Sequence, residues 1–132
     1  MVYGFPGDNC AVPLRIGHRW LATVPETHSL DGARYRRSRA PREVSRVTFG
    51  SGQQPHWVAL DPSGTRTVLN SDEQGPDHRL FIVNFDPDTG AVKLDERFRD
   101  GGSDRPGVSM DGKSWPHGFH GNAYAHGTVF PR

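Results

Sequence analysis

Residues 55–98 read PHWVALDPSGTRTVLNSDEQGPDHRLFIVNFDPDTGAVKLDERF, and this stretch decides the fold. Pro55 to Leu60 is a β-rich run, and Asp61-Pro62-Ser63-Gly64 behind it puts Pro and Gly where a tight turn needs them. Thr67 to Asn70 continues as a second strand, and a polar loop leads into Arg79 to Phe85, the strongest run of aromatic and β-branched residues in the chain. Asp86-Pro87-Asp88-Thr89-Gly90 is another turn, and Ala91 to Asp95 alternates as a half-exposed strand does. Four short antiparallel strands are expected here.

Four short strands in about 40 to 50 residues is the spacing of one β-propeller blade. Forty-two positions before Pro55 stands Pro13, where Pro13 to Ile16 and then Trp20 to Thr23 repeat the first two strands. Glu43 to Phe49 alternates with period two and supplies an outer strand. Ala125 to Phe130 echoes Pro55 to Leu60 and predicts a strand that closes the chain. The expectation is an all-β partial propeller: a blade over 12–49, a blade over 55–98, then a loop and closing strand over 99–132. Residues 31–42, DGARYRRSRAPR, interrupt this scheme with five arginines and no apolar alternation where a third strand belongs. They read either as a solvated insertion with a local anion-binding patch or as a reading-frame error. One choice of codons for 31–40 gives Met-Ala-Leu-Asp-Ile-Asp-Asp-Arg-Ala from its second base.

Composition agrees with a turn-rich β protein. Only 33% of residues are hydrophobic, and 16 Gly and 11 Pro deprive long helices of both propensity and an apolar stripe. The aromatic share of 10% is ordinary and argues against a disordered chain. Sixteen basic and fifteen acidic side chains leave a formal charge of +1, so there is no global field to draw nucleic acid or an anionic membrane. No run approaches the ~18 apolar residues of a membrane span, and MVYGFPGDNC lacks the pattern of a secretory signal. A single cysteine, Cys10, makes no internal disulfide and reads as a small buried side chain.

PHWVALDPSGTRTVLN and RLFIVNFDPDTGAVKLDERF resemble the blade pattern of YVTN-type and lactonase-like seven-bladed propellers. GAVKLDERF followed by AYAHGTVFP is distantly similar to the end of the selenium-binding protein and methanethiol oxidase family, itself a propeller. The first resemblance implies a parent ring of about 300 residues or more, with the present chain as a C-terminal part of it and further blades as its partners. The second implies copper-binding histidines, of which only His126 matches by its Ala-x-Ala-His context.

Seven histidines stand in the chain, and His18, His56, His117, His120 and His126 each lie next to or near a glycine or proline at a strand start or turn. Inner strands line the channel of a propeller, so His56 and His126 are expected to converge from adjacent blades. His117, His120 and His126 form an H-x2-H-x5-H series, and imidazole is a common ligand for copper or another divalent transition metal. The candidate metal residues are therefore His56, His117, His120 and His126. The competing reading is that each imidazole satisfies backbone groups in a crowded turn.

Trp20, Trp57 and Trp115 are expected as packing between blades, and Asp61, Asp86 and Asp88 as turn formers. Asp100-Gly-Gly-Ser-Asp-Arg-Pro-Gly lacks the ligand series of a calcium loop and reads as a loop. Common enzyme signatures are absent. Three functional readings stay open: a propeller part with a small-molecule or metal site on its central channel, a metal-dependent oxidase or lactonase-like hydrolase, and a protein-interaction scaffold.

Overall fold

The computed structural model describes residues 12–35, 41–72 and 75–131. Cys10 lies outside them. Two antiparallel meanders carry the fold. The first runs β1 (Pro13–Ile16), β2 (Arg19–Val24), β3 (Ser29–Arg34) and β4 (Arg42–Thr48), side by side in chain order. The second repeats that order with β5 (Pro55–Leu60), β6 (Arg66–Ser71), β7 (Arg79–Phe85) and β8 (Val92–Leu94). No α-helix occurs among the described residues; a single 3₁₀ turn, Pro25–Thr27, joins β2 to β3.

The turns form for reasons visible in their residues. Asp86 Oδ1 accepts the N–H groups of Asp88 and Thr89 at 2.8 and 3.2 Å, and Oδ2 accepts the Thr89 hydroxyl at 2.6 Å. Its carboxyl is accordingly held below the ordinary range, first by the Thr89 hydroxyl and then by those two N–H groups. Asp61 does the same between β5 and β6, accepting the Ser63 hydroxyl at 2.5 Å and the Arg66 N–H at 3.4 Å. Gly90, which ends the β7–β8 turn, has a φ of +83°, a conformation that a side chain resists.

Three expectations are corrected. Residues 31–42 were expected to lack a third strand, yet β3 occupies Ser29–Arg34 and pairs with β2 and β4 along its length. It carries no alternation because both faces are covered: Ser29 to Ala33 are all buried. Asp31 is satisfied there by the Ser29 hydroxyl at 2.7 Å and by Arg46 Nε at 3.1 Å. A Cβ on Gly32 would meet the Gly90 carbonyl oxygen at 2.8 Å, so glycine lets the facing turn approach. Residues 36–40 lie outside the described part of the chain. Second, the closing strand over 125–130 is not a strand, because residues 122–131 join no ladder and an extended segment becomes a strand only by pairing its N–H and C=O groups. Third, 99–121 is more than loop: β9 (Val108–Ser109) pairs with β7, and β10 (Lys113–Ser114) with β11 (His120–Gly121) makes a hairpin.

The two meanders share one core. Leu21, Leu30, Val47 and Phe49 from the first meet Val58, Leu69, Phe81, Val83, Phe85 and Val92 from the second. Each large apolar side chain buried here contributes about 1.5 to 3 kcal/mol. Phe49 and Phe81 cross the interface as a tilted ring pair with centroids 4.6 Å apart. β1 and β2 lie beside β5, and β4 beside β8, so the sheets face one another in the same sense.

A buried arginine clamps them. Arg19, 7% exposed, enters the β7–β8 turn and donates from Nε to the Pro87 carbonyl at 2.9 Å and from Nη1 to the Thr89 carbonyl at 2.6 Å. Its Nη2 donates to the Asp88 carbonyl. A Cβ on Gly90 would stand 2.5 Å from Nη1, so the glycine makes room for the guanidinium.

Candidate functional site

At the start of β5 the ladder with β6 slips. Pro55 pairs with Ser71 and Val58 with Leu69, which leaves His56 and Trp57 together opposite Asn70. A bulge of this kind bends a strand and redirects its side chains. The first meander fixes it: the buried Thr23 hydroxyl donates to the His56 carbonyl at 2.6 Å.

His56, Asn70, Ser71, Asp72, Tyr124, Ala125 and His126 line a cavity of about 220 Å³ beside this bulge. The segment after β11 brings His126 to it, with its ring nearly parallel to that of His56: the centroids are 5.8 Å apart and the planes differ by 18°. A Cβ on Gly127 would touch the indole of Trp57 at 3.3 Å, so the small residue seats this segment on β5.

Asn70 is the least satisfied group in the cavity wall. It is 3% exposed; its Nδ2 donates to the Ser71 carbonyl at 3.3 Å, and its Oδ1 has no hydrogen-bond partner. Turning the amide over would set two carbonyl oxygens against each other, so Oδ1 is the free acceptor. The neighbouring Ser71 hydroxyl donates to Gln53 Oε1, and Gln53 Nε2 donates to Asp77 Oδ2 at 3.0 Å. Asp77 in turn receives Arg79 Nε at 3.2 Å and Arg105. This chain, buried at Ser71, Gln53 and Arg79, fixes Ser71 in the cavity wall.

A second titratable pair lies close by. His78 Nδ1 stands 2.7 Å from Asp111 Oδ1, and the His78 backbone N–H donates to Oδ2 at 3.1 Å. Burial pushes the Asp111 carboxyl up, but the two His78 bonds together with the nearby His78 and Arg79 charges leave it below the ordinary range. The Tyr124 ring, which lines the cavity, sits with its centroid 6.1 Å from that of His78.

The remaining sequence candidates fall elsewhere. His120 belongs to the β10–β11 hairpin, where its Nδ1 is 3.0 Å from the Ser114 hydroxyl, and His117 is stacked on Phe119 at 6.4 Å. Both are exposed. Among the described residues no group of three or more His, Cys, Asp or Glu side chains is placed to hold a metal ion, so the H-x2-H-x5-H series does not assemble into one. Asp100 receives the Ser109 N–H at 2.8 Å and Lys113 Nζ at 2.9 Å, which employs its carboxylate within the loop. Trp57, 38% exposed, packs on Gly127, and Trp115 donates to the Gly121 carbonyl at 3.4 Å inside its hairpin.

Asn70 and the His78–Asp111 pair escaped the sequence reading. An asparagine in a strand is a weak signal, because strands disfavour it. His78 and Asp111 stand 33 residues apart, and no spacing links them.

Comparison of the chain with models of protein families, with curated proteins and with solved structures finds no match. The class the coordinates define is an all-β protein of antiparallel four-stranded meanders. Among the described residues no helix is long and apolar enough to cross a membrane.

Proposed function

We propose that the two meanders are neighbouring blades of a β-propeller and that the cavity at His56 and His126 is a binding site on its channel side for a small molecule or a metal ion. The strand order of the first sheet recurs in the second, whose first strand starts 42 residues after that of the first sheet, with innermost strands β1 and β5 beside each other, as adjacent blades require. The observation that carries the site is the convergence of two imidazoles on a cavity that Asn70, Ser71 and Asp72 also line. The metal reading rests on the histidine pair, with copper or another divalent transition metal as the ion.

Two measurements test this. A sheet pair taken from a ring has outward faces that call for further sheets, so the chain associates with rising concentration in sedimentation velocity. A strict monomer up to about 0.1 mM, a range where weak association through such faces registers, overturns the blade reading. Titration with Cu²⁺ or Zn²⁺ followed by NMR of the imidazole groups tests the site. A one-to-one complex lost in both His56→Ala and His126→Ala supports metal binding; binding that survives both variants refutes it.

A further inference from the structure

We infer that Arg34 and Arg42, side by side at the end of the β3–β4 pair, form a site for the dianionic phosphate group of a small soluble molecule. This is separate from the cavity at His56 and His126 and does not depend on the propeller reading.

The ladder puts the two side chains together. Arg34 pairs with Arg42 across β3 and β4, and with Arg19 across β2 and β3. Residues directly opposite in an antiparallel pair project from the same face, with Cβ atoms about 5 Å apart. Arg19, Arg34 and Arg42 therefore stand in one row across three strands. Just before the arginines the register slips: Gly32 pairs with Ser45 and Ala33 with Glu43, which leaves Val44 over and bends β4.

Like charges directly opposite destabilise a sheet, and this row is not neutralised from within. Arg19 is buried and gives its donors to the carbonyl oxygens of Pro87, Asp88 and Thr89. Arg34 and Arg42 are exposed, and among the described residues neither has a hydrogen-bond or ion-pair partner. The acidic groups of these strands and of the facing turn are taken: Asp31 by Ser29 and Arg46, Glu43 by Arg46, and Asp86 by Asp88 and Thr89 of its own turn. Asp88 of that turn is exposed and pairs with neither arginine. The stretch that joins Arg34 to Arg42, residues 35–41, adds three arginines and no acidic residue. An anion is what this end of the sheet lacks.

Donor geometry selects the anion. A guanidinium presents a planar fork that takes two oxygens of a carboxylate or phosphate. One carboxylate occupies one fork, whereas the three terminal oxygens of a phosphate monoester serve two forks that stand a strand apart. Its two negative charges also match the two guanidinium charges. The exposure of both arginines leaves room for the rest of the molecule.

The test uses the full 132-residue chain at low ionic strength and about pH 8, where phosphate is mostly dianionic. Inorganic phosphate, glycerol 3-phosphate and acetate are titrated in turn against chloride and followed by NMR of the arginine Nε–H groups. The expected result is saturable shifts of Arg34 and Arg42 with both phosphates at about millimolar strength, and at least about fivefold weaker binding of acetate. With phosphate at about ten times its Kd, Tm is expected to rise by about 5 °C. Arg34→Gln and Arg42→Gln are each expected to weaken phosphate at least about threefold, and the double variant to keep less than half of the rise in Tm. Arg97→Gln, which removes one charge from a side chain 94% exposed elsewhere, is expected to keep the full rise. In chloride alone, Arg34→Gln is expected to melt no lower than the parent, because it relieves the repulsion in the row. A Tm for Arg34→Gln more than about 2 °C below the parent in chloride overturns the account of an unrelieved pair. Acetate bound as tightly as phosphate overturns the choice of a dianion. Equal losses in Arg97→Gln and Arg34→Gln overturn the location. Binding to vesicles of phosphatidylcholine and phosphatidic acid, without binding of glycerol 3-phosphate, overturns the assignment to a soluble molecule. No shift at either arginine overturns the whole inference, and the metal titration and association measurement then stand unaffected.

Discussion

Replacing Arg19 with methionine removes the clamp between the two meanders while keeping an unbranched stem of similar shape. The guanidinium makes three bonds to the carbonyls of Pro87, Asp88 and Thr89. A hydrogen bond to a charged group contributes about 1.5 to 3 kcal/mol. The sum overstates the loss, because residues 87–89 are exposed and water reaches their carbonyls once the arginine is gone. Relief of the cost of burying the charge offsets a further part. The expected destabilisation is about 2 to 4 kcal/mol. For a chain of this length the unfolding entropy is roughly 0.28 kcal/mol per kelvin, so Tm falls by about 10 °C. Thermal unfolding followed by circular dichroism at fixed protein concentration measures it. Arg19→Lys keeps the charge but not the planar fork, and is expected to recover less than half of the loss. The cycle with Gly90→Ala adds a second check. In the parent, alanine meets both the positive φ and the Arg19 Nη1 contact; beside methionine the Nη1 contact is gone, which leaves the φ cost of about 1 kcal/mol and a milder contact with the stem. A fall of less than about 3 °C for Arg19→Met, or full rescue by lysine, would refute the clamp.

Three further outcomes follow from other residues. Burial holds the Asp31 carboxyl above its ordinary value, against the Ser29 hydroxyl and Arg46 and with help from Glu43. The native state therefore binds more protons than the unfolded one just above the ordinary carboxylate pKa of about 3.9, and the Asp31 contribution to stability falls as pH rises through that window. In urea unfolding from pH 3 to 8, Asp31→Asn is expected to gain on the parent as pH rises, and a flat or shrinking gap refutes this. Asp86 has the opposite sign: its folded pKa is depressed, so its contribution is complete above the ordinary range and is lost as pH falls through the lower, folded value. Asp86→Asn should flatten the acid limb of the same curve, which an unchanged slope contradicts. Leu69→Ala, at a fully buried core position, should cost about 2 to 5 kcal/mol by chemical denaturation, whereas Arg97→Ala, at an arginine side chain 94% exposed, should cost less than about 1.

Strand pattern was legible wherever apolar residues alternate or cluster and turn residues punctuate them. The four strands expected between Pro55 and Asp95 lie within a residue or so of β5 to β8, and Pro13 to Ile16 matches β1 as read. β3 was illegible, because its burial on both faces rests on small side chains and on a carboxylate answered by Arg46 from a different strand. His56 and His126 were expected to meet from equivalent positions on two inner strands; the structure brings them together with His126 on a segment that joins no ladder. Asn70 was not legible, because its place opposite two residues depends on a bulge that no local pattern marks.

By itself, then, the sequence determined the all-β class, the turns and the positions of most strands, because backbone preference and side-chain alternation act over a few neighbouring residues. Only the tertiary structure decided that Arg19 reaches carbonyls about 70 residues away, that Asn70 keeps an unpaired oxygen beside two imidazoles, and that Ala125 to Phe130 stays outside any ladder. Each of these turns on which distant groups meet, and on whether a buried polar atom finds its complement there, which is a property of the assembled sheets and not of any short stretch of chain.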